Sequence, residues 1–170
     1  MSPKQMKAAG AAMLACCTAA GTVLKPFEGR MREVYPDVVW GWKVPTVCDG
    51  HTGPDVVRGA KFTDAECDQL LHADLRKTFD ALAADNCLGD VQLEQYEMAA
   101  YISVAYNMGT GTFCKGSFKT KLKAGDHVGA CDLIAQYRFA NGLDCAIKIN
   151  NCGGIVRRRE AERALCLGAT

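Results

Sequence analysis

The sequence predicts an α+β fold that is mainly helical and two-lobed, with a small N-terminal β-hairpin lobe and a larger helical C-terminal lobe. Two patterns carry this expectation. From Met31 to Asp55 the chain is rich in β-branched, aromatic, glycine and proline residues, with Val38-Val39-Trp40-Gly41-Trp42 and Thr46-Val47-Cys48 as candidate strands around turns. From Thr63 onward apolar residues recur at helical spacing between capping and stop signals. A chain of 170 residues normally forms one domain and buries a core without external help.

The N-terminus holds a different kind of segment. Lys4 and Lys7 precede an uncharged run from Ala8 to Leu24, dominated by alanine and glycine and closed by Lys25. As a helix this run spans about 26 Å at ~1.5 Å per residue, slightly short of a hydrocarbon core. Four readings fit: a cleaved signal peptide using Thr18-Ala19-Ala20, a buried helix of the folded domain, a lipid-modified Cys16, and an uncleaved anchor able to leave the membrane. Met13 stands where a lipidation signal expects leucine, which counts against the third. Alanine, glycine and threonine contribute little insertion energy, so an anchor of this composition is weakly held.

Helices follow in order. Thr63-Asp64-Ala65-Glu66 matches a capping box, and Leu70, Leu71, Leu75, Phe79 and Leu82 line one helical face. Further helices are expected at Leu93 to Met108 (stopped by Gly109), Ser117 to Ala124 (stopped by Gly125), Asp126 to Ala140 with Asp126 as N-cap, and Ile155 to Leu167 (stopped by Gly168). No repeat or low-complexity tract follows residue 25.

Ten cysteines in one chain point to an oxidising compartment such as a bacterial periplasm, where most would form disulfides. Cys145 is expected to pair with Cys152 across a short loop, and Cys114 with Cys131 between successive helices. Zinc is disfavoured because no Cys-x-x-Cys occurs and His51, His72 and His127 lie in separate segments. The net charge of +1 argues against a nucleic-acid partner.

Glu28, Asp37 and Thr46 form the candidate catalytic group. Cleavage of a glycosidic bond needs one carboxyl group that keeps its proton and a second group that stabilises the cationic transition state or holds the attacking water. Glu28 sits in Leu24-Lys25-Pro26-Phe27-Glu28-Gly29, where apolar neighbours would desolvate its carboxyl as a general acid requires. Leu-x-x-Phe-Glu-Gly, then Tyr35-Pro36-Asp37, then Thr46-Val47-Cys48-Asp49-Gly50-His51-Thr52-Gly53 closely resembles the catalytic region of phage endolysins of the T4-type lysozyme family, glycoside hydrolase family 24. Ala105-Tyr106-Asn107-Met108-Gly109, Lys121-Leu122-Lys123-Ala124-Gly125-Asp126 and the Gly154 to Glu162 segment resemble three further motifs of that family, in the same order.

The resemblance implies a lysozyme-like fold and a muramidase acting on the β-1,4 bond between N-acetylmuramic acid and N-acetylglucosamine of peptidoglycan. Glu28 would be the acid, Asp37 the second carboxylate and Thr46 the water-orienting hydroxyl, with no cofactor and no metal. His51, ordering the loop after Thr46, and Asn107, lining the cleft, are the substrate-binding candidates. Eight residues separate Asp37 from Thr46 where the family usually has five, as though three were inserted around Trp40 to Lys43. If that insertion shifts the register, Asp37 is the doubtful member and Glu33 the fallback, though Glu33 reads as a solvated charge. Arg157-Arg158-Arg159 reads as intrahelical ion pairs on a solvated face. Trp40 and Trp42 suit either sugar stacking or core packing.

The N-terminal run makes the resemblance closest to signal-anchor-release endolysins. Residues 1–25 would be the releasable anchor and 26–170 the catalytic domain. The implied partners are peptidoglycan, the bacterial inner membrane through the N-terminal segment, and a phage holin whose action triggers release of a monomeric enzyme. The protein would be inactive at the host inner membrane and active in the periplasm. Cys16 and Cys17 would become available for thiol exchange only after release. A lytic transglycosylase using Glu28 alone and an inactive wall-binding domain remain the alternatives.

Overall fold

A computed structural model describes residues 3–37, 40–140 and 142–169, with side chains from residue 10 onward. Val38 and Val39 of the expected strand lie outside the described residues.

The chain opens with α1 (Pro3–Leu24), which runs into a single 3-10 turn at Lys25–Phe27. A three-stranded antiparallel sheet follows: β1 (Met31–Asp37), β2 (Gly41–Cys48) and the short β3 (His51–Thr52), in the order β1-β2-β3. Gly41 begins β2 at φ 58°, a left-handed conformation that glycine adopts without a Cβ clash. This small lobe has its own core of Val34, Val47, Cys48, Val56 and Cys67.

The helical lobe begins with α2 (Asp64–Leu82). Its N-terminus carries the expected capping box, with Thr63 Oγ1 accepting from Glu66 N and Glu66 accepting from Thr63 N. The centre of the lobe is α3 (Gln95–Met108), where Ala99 to Ala105 are all buried, as in a helix surrounded by others. Around it lie α4 (Thr110–Lys115), α5 (Phe118–Lys123) and α6 (His127–Leu133), the last N-capped by Asp126 as expected. A two-stranded ribbon, β4 (Phe139–Ala140) and β5 (Leu143–Asp144), precedes the final helix α7 (Gly153–Cys166). The rings of Tyr101, Phe113, Phe118 and Tyr137 stack or meet edge-on at 4.4 to 5.6 Å and fill the far end of the core.

Two expectations need correction. The helix expected from Asp126 to Ala140 ends at Leu133, because a 3-10 turn and the β4-β5 ribbon take over. Cys114 does not pair with Cys131. Four disulfides join Cys48 with Cys67, Cys87 with Cys114, Cys131 with Cys166, and Cys145 with Cys152. Cys131 on α6 meets Cys166 at the end of α7, while Cys114 on α4 meets Cys87 in the loop after α2. Only the Cys145–Cys152 bridge is the one expected.

The N-terminal helix is packed on the helical lobe. Cys16, Cys17, Ala20 and Leu24 form a stripe at helical spacing that joins the main core, against α3 and α2. Yet only 28% of the apolar span Gly10–Phe27 is buried, and Leu14 stands exposed on its outer side. Cys16 and Cys17 are free thiols, 4% and 3% exposed. In the packed state the helix therefore shields the thiols that the sequence expects to become accessible on release.

Leu24 has no exposed surface. Leu24→Ala is expected to destabilise the soluble protein by about 2 to 5 kcal/mol, as measured by chemical denaturation, because it opens a cavity where α1 meets the core.

Candidate active site

Between the hairpin lobe and the helical lobe lies a cleft of about 520 Å³, lined by Glu28, Asp49, Gly50, Thr52, Tyr106 and Asn107 together with residues of α2. Glu28 enters it at the end of the 3-10 turn that follows α1, with extended backbone (φ −91°, ψ 127°). Its environment is not the apolar one expected from its sequence neighbours. Arg158 Nη1 of α7 donates to Glu28 Oε1 at 2.5 Å. Of the flanking apolar residues, Leu24 is directed into the helical core.

Arg158 is itself part of a buried array. Its Nε donates to Glu162 Oε1 at 2.9 Å, and its Nη2 donates to the Ser103 carbonyl at 3.3 Å. The Ser103 hydroxyl donates to the same Glu162 oxygen at 2.6 Å. Arg159 donates to the other oxygen of Glu162, to Asn107 Oδ1, and to the Tyr137 carbonyl at 3.0 Å. The run Arg157 to Arg159 thus makes intrahelical ion pairs as expected, but Arg158 and Arg159 are buried rather than solvated. Burial pushes the Arg159 guanidinium down from its usual range. One face of α7 thereby holds both Glu28 and Asn107.

The hairpin supplies the other wall. Thr46 is 5% exposed, its hydroxyl donates to the Val44 carbonyl at 3.2 Å, and it pairs with Tyr35 and Thr52 across the sheet. Asp37 ends β1, and its Oδ1 accepts from Trp40 N at 2.8 Å. Neither side chain is among the residues lining the cleft. Tyr35 relates them to it: burial pushes its phenol up, with further contributions from Glu28, then Asp37, then Asp49.

His51 lies behind the cleft wall, between Asp74 Oδ2 at 2.6 Å from Nδ1 and Asp55 Oδ2 at 3.1 Å from Nε2, while its neighbours Gly50 and Thr52 face the cleft. Glu33, the fallback carboxylate, is exposed and pairs with Lys61 at 2.6 Å, which holds its carboxyl below the usual range. Trp40 and Trp42 are exposed, so the core-packing alternative fails for both, and Arg58 lies over the Trp42 ring at 4.1 Å. Among the described residues no group of three metal-ligating side chains occurs. A second cavity of about 550 Å³ opens beside Tyr96 and His127. Its buried Glu97 is already bonded to His127 Nδ1 and Glu94 N, so that cavity offers no comparable chemistry.

Sequence reasoning missed three contributors: Arg158, Tyr106 and Asp49. The Tyr106 hydroxyl donates to the Asp49 carbonyl at 2.9 Å across the cleft. The spacing of Arg158 and Arg159 to Glu162 was the available signal, because one carboxylate serving two guanidiniums three and four residues away is how a buried site satisfies them.

A carboxylate-lined cleft between a small β lobe and a helical lobe defines a lysozyme-like protein. Residues 25–162 match the family model described as phage lysozyme, and the chain belongs to that family. It is 33% identical over 174 residues to the SAR-endolysin of Enterobacteria phage P21, a likeness that covers 98% of each chain. Among solved structures, the endolysin from Escherichia coli O157:H7 phage FAHEc1 is similar with TM-score 0.71 and 26% identity, covering 89% of this chain and 92% of that one. A P22 lysozyme mutant is similar with TM-score 0.69 and 30% identity, covering 87% and 94%. Family membership makes this a cell-wall lytic enzyme of glycoside hydrolase type.

Glu162→Gln should destabilise the protein by about 3 to 5 kcal/mol, because it leaves two buried guanidiniums without their carboxylate. The shift of the denaturation midpoint measures this loss.

Proposed function

We propose that this chain is a signal-anchor-release muramidase that hydrolyses the β-1,4 bond between N-acetylmuramic acid and N-acetylglucosamine, serving host lysis and phage release. The observation that carries the reading is the position of Glu28. It lies four residues beyond Leu24, the buried end of α1, and is held in the cleft by Arg158. Where α1 goes, Glu28 must follow.

Arg158 engages Oε1 of Glu28, which leaves Oε2 to carry the proton to the leaving glycosidic oxygen. Asp37 and Thr46 hold water on the opposite face, so that displacement occurs in one step with inversion. Asn107, fixed by Arg159, lines the sugar path, and His51 orders the Gly50–Thr52 strand that faces it. The enzyme works as a monomer without a cofactor. Before triggering, α1 lies in the inner membrane; after a holin collapses the membrane potential it packs on the helical lobe in the periplasm.

Glu28→Gln should leave folding intact and reduce hydrolysis of purified peptidoglycan at least ~100-fold, the usual contribution of a general acid. More than a tenth of parental activity in the folded variant would remove the acid assignment. Asp37→Ala and Thr46→Ala should also cripple the enzyme without unfolding it. Products ending in a reducing sugar support hydrolysis, whereas anhydro ends would make the protein a transglycosylase.

Release is tested through insertion energy. Leucine in place of Gly10, Ala12, Ala15 and Ala19 adds a few tenths of a kcal/mol or more per residue, holding α1 in the bilayer. Fractionated cells should then retain the protein in the membrane and fail to lyse after depolarisation. Lysis at the parental rate, or a mature parental protein starting near Gly21, would replace release with signal-peptide cleavage.

A further inference from the structure

We propose that Arg30 is a positioning residue for Glu28, seated in a two-carboxylate receptor, Asp49 and Asp68, that the Cys48–Cys67 disulfide holds together. The proposal rests on the reading of Glu28 as the acid.

The backbone around Glu28 is lightly held. Its own N–H donates to the Lys25 carbonyl at 3.3 Å, a long bond, and beyond its two chain neighbours no described residue comes within 4 Å of where a Cβ on Gly29 would stand. Pairing of β1 with β2 begins only at Met31, opposite Cys48. Between the buried Leu24 and that first pair, the side chains flanking Glu28 make the connection. Lys25 Nζ donates to Asp68 Oδ1 at 2.9 Å, and Arg30 Nη2 donates to the same oxygen at 2.7 Å. One carboxylate thus grips the chain three residues before Glu28 and two residues after it. These two cations hold the Asp68 carboxyl down at about 2.

The second carboxylate is buried. Asp49 is 3% exposed and accepts from Arg30 Nε at 3.1 Å and from Nη2 at 2.7 Å, a forked contact that an ammonium cannot reproduce. A desolvated carboxylate needs such a partner. Asp49 also lines the cleft, and its carbonyl takes the Tyr106 hydroxyl. The forked contact therefore registers the segment carrying Glu28 against the opposite wall of its own site.

The two carboxylates follow the two halves of one disulfide: Asp49 follows Cys48, and Asp68 follows Cys67. Cys48 has φ 58°, in the left-handed region, which persists for a non-glycine residue only where its surroundings impose it. The covalent link to Cys67 at the start of α2 is such a constraint. It presents Asp49 and Asp68 to a single guanidinium.

The test uses the full-length chain released from the membrane, with reducing ends liberated from purified peptidoglycan as the readout. Arg30→Gln combined with Asp49→Asn removes both charges without stranding either. Its kcat should fall at least ~10-fold with KM within about twofold, as displacement of a reacting group by a fraction of an ångström produces, while thermal unfolding stays cooperative. Arg30→Lys should restore part of kcat through Asp68 alone. Replacing Cys48 and Cys67 together by serine should lower kcat to a similar extent, and adding the Arg30/Asp49 pair to that background should cost less than about a further twofold, because both act through one seat. Two results overturn the proposal: kcat within twofold of the parent in the Arg30/Asp49 variant while Glu28→Gln is inactive, or losses that multiply between the Arg30/Asp49 and cysteine pairs. Activity retained in Glu28→Gln overturns the acid assignment, and this proposal with it.

Discussion

Glu162 is a carboxylate with no exposed surface, and a buried charge of that kind survives only when its oxygens are fully engaged. Arg158, Arg159 and the Ser103 hydroxyl engage them. The consequence reaches beyond α7. A guanidinium has more donors than one carboxylate can take, and among the remaining donors of Arg158 and Arg159 one each goes to Glu28 and Asn107. A carboxylate that never touches the cleft therefore sets the position of two groups that line it. Mobility of either arginine would expose the array to partial satisfaction, which is worse than an apolar core, so the geometry is close to all-or-none.

The N-terminal helix meets the same core from the other side. Its buried stripe is narrow, ending in Ala20 and Leu24, and most of its apolar surface faces outward. A helix evolved only to pack would carry polar residues on that outer face. One evolved only to span would carry more leucine. The composition sits between, and small residues suit both the packed state and the proposed membrane-bound one: alanine and glycine allow close approach to α3 and α2, and they would hold the helix weakly in lipid. Gly21 illustrates the first point, since a Cβ there would lie 3.5 Å from Leu75 Cδ1, in ordinary contact with α2.

Much of this was legible in the sequence where the signal is local. The capping box at Thr63 and the Asp126 cap were read correctly because capping involves residues three apart. The Cys145–Cys152 bridge was legible because its loop is short, whereas the Cys131–Cys166 pairing depends on how α6 and α7 pack and leaves no trace in spacing. Glu28 was found through its motif, but its environment was misjudged. Sequence neighbours of a residue at a helix exit do not surround its side chain, and the partner that does, Arg158, is 130 positions away. The same blindness turned a buried pair of arginines into a solvated face, since exposure is decided by α3 and the 3-10 turn at Ile134–Gln136, which pack on α7, rather than by the charge run itself.

The hairpin takes up its length near the turn, on the β2 side. Thr46 is held because β2 is pinned at its far end, where Val47 and Thr46 pair with His51 and Thr52 and Cys48 is bonded to Cys67 of α2. β1 pairs with β2 in one register at Tyr35 and Pro36, opposite Thr46 and Pro45, and the register shifts between Met31 and Tyr35 and again between Pro36 and Asp37, which pairs with Gly41. At the turn Gly41 takes the left-handed backbone and Trp40 N–H closes on the Asp37 carboxylate, while residues 42–44 of β2 stand between the partners of Asp37 and Pro36. Trp40 and Trp42 stand on the surface, with Arg58 over the Trp42 ring. The turn thus fixes one Asp37 oxygen by a backbone donor, and because the register shifts just before Asp37, this contact rather than a continuous ladder orients the carboxylate proposed to act with Thr46.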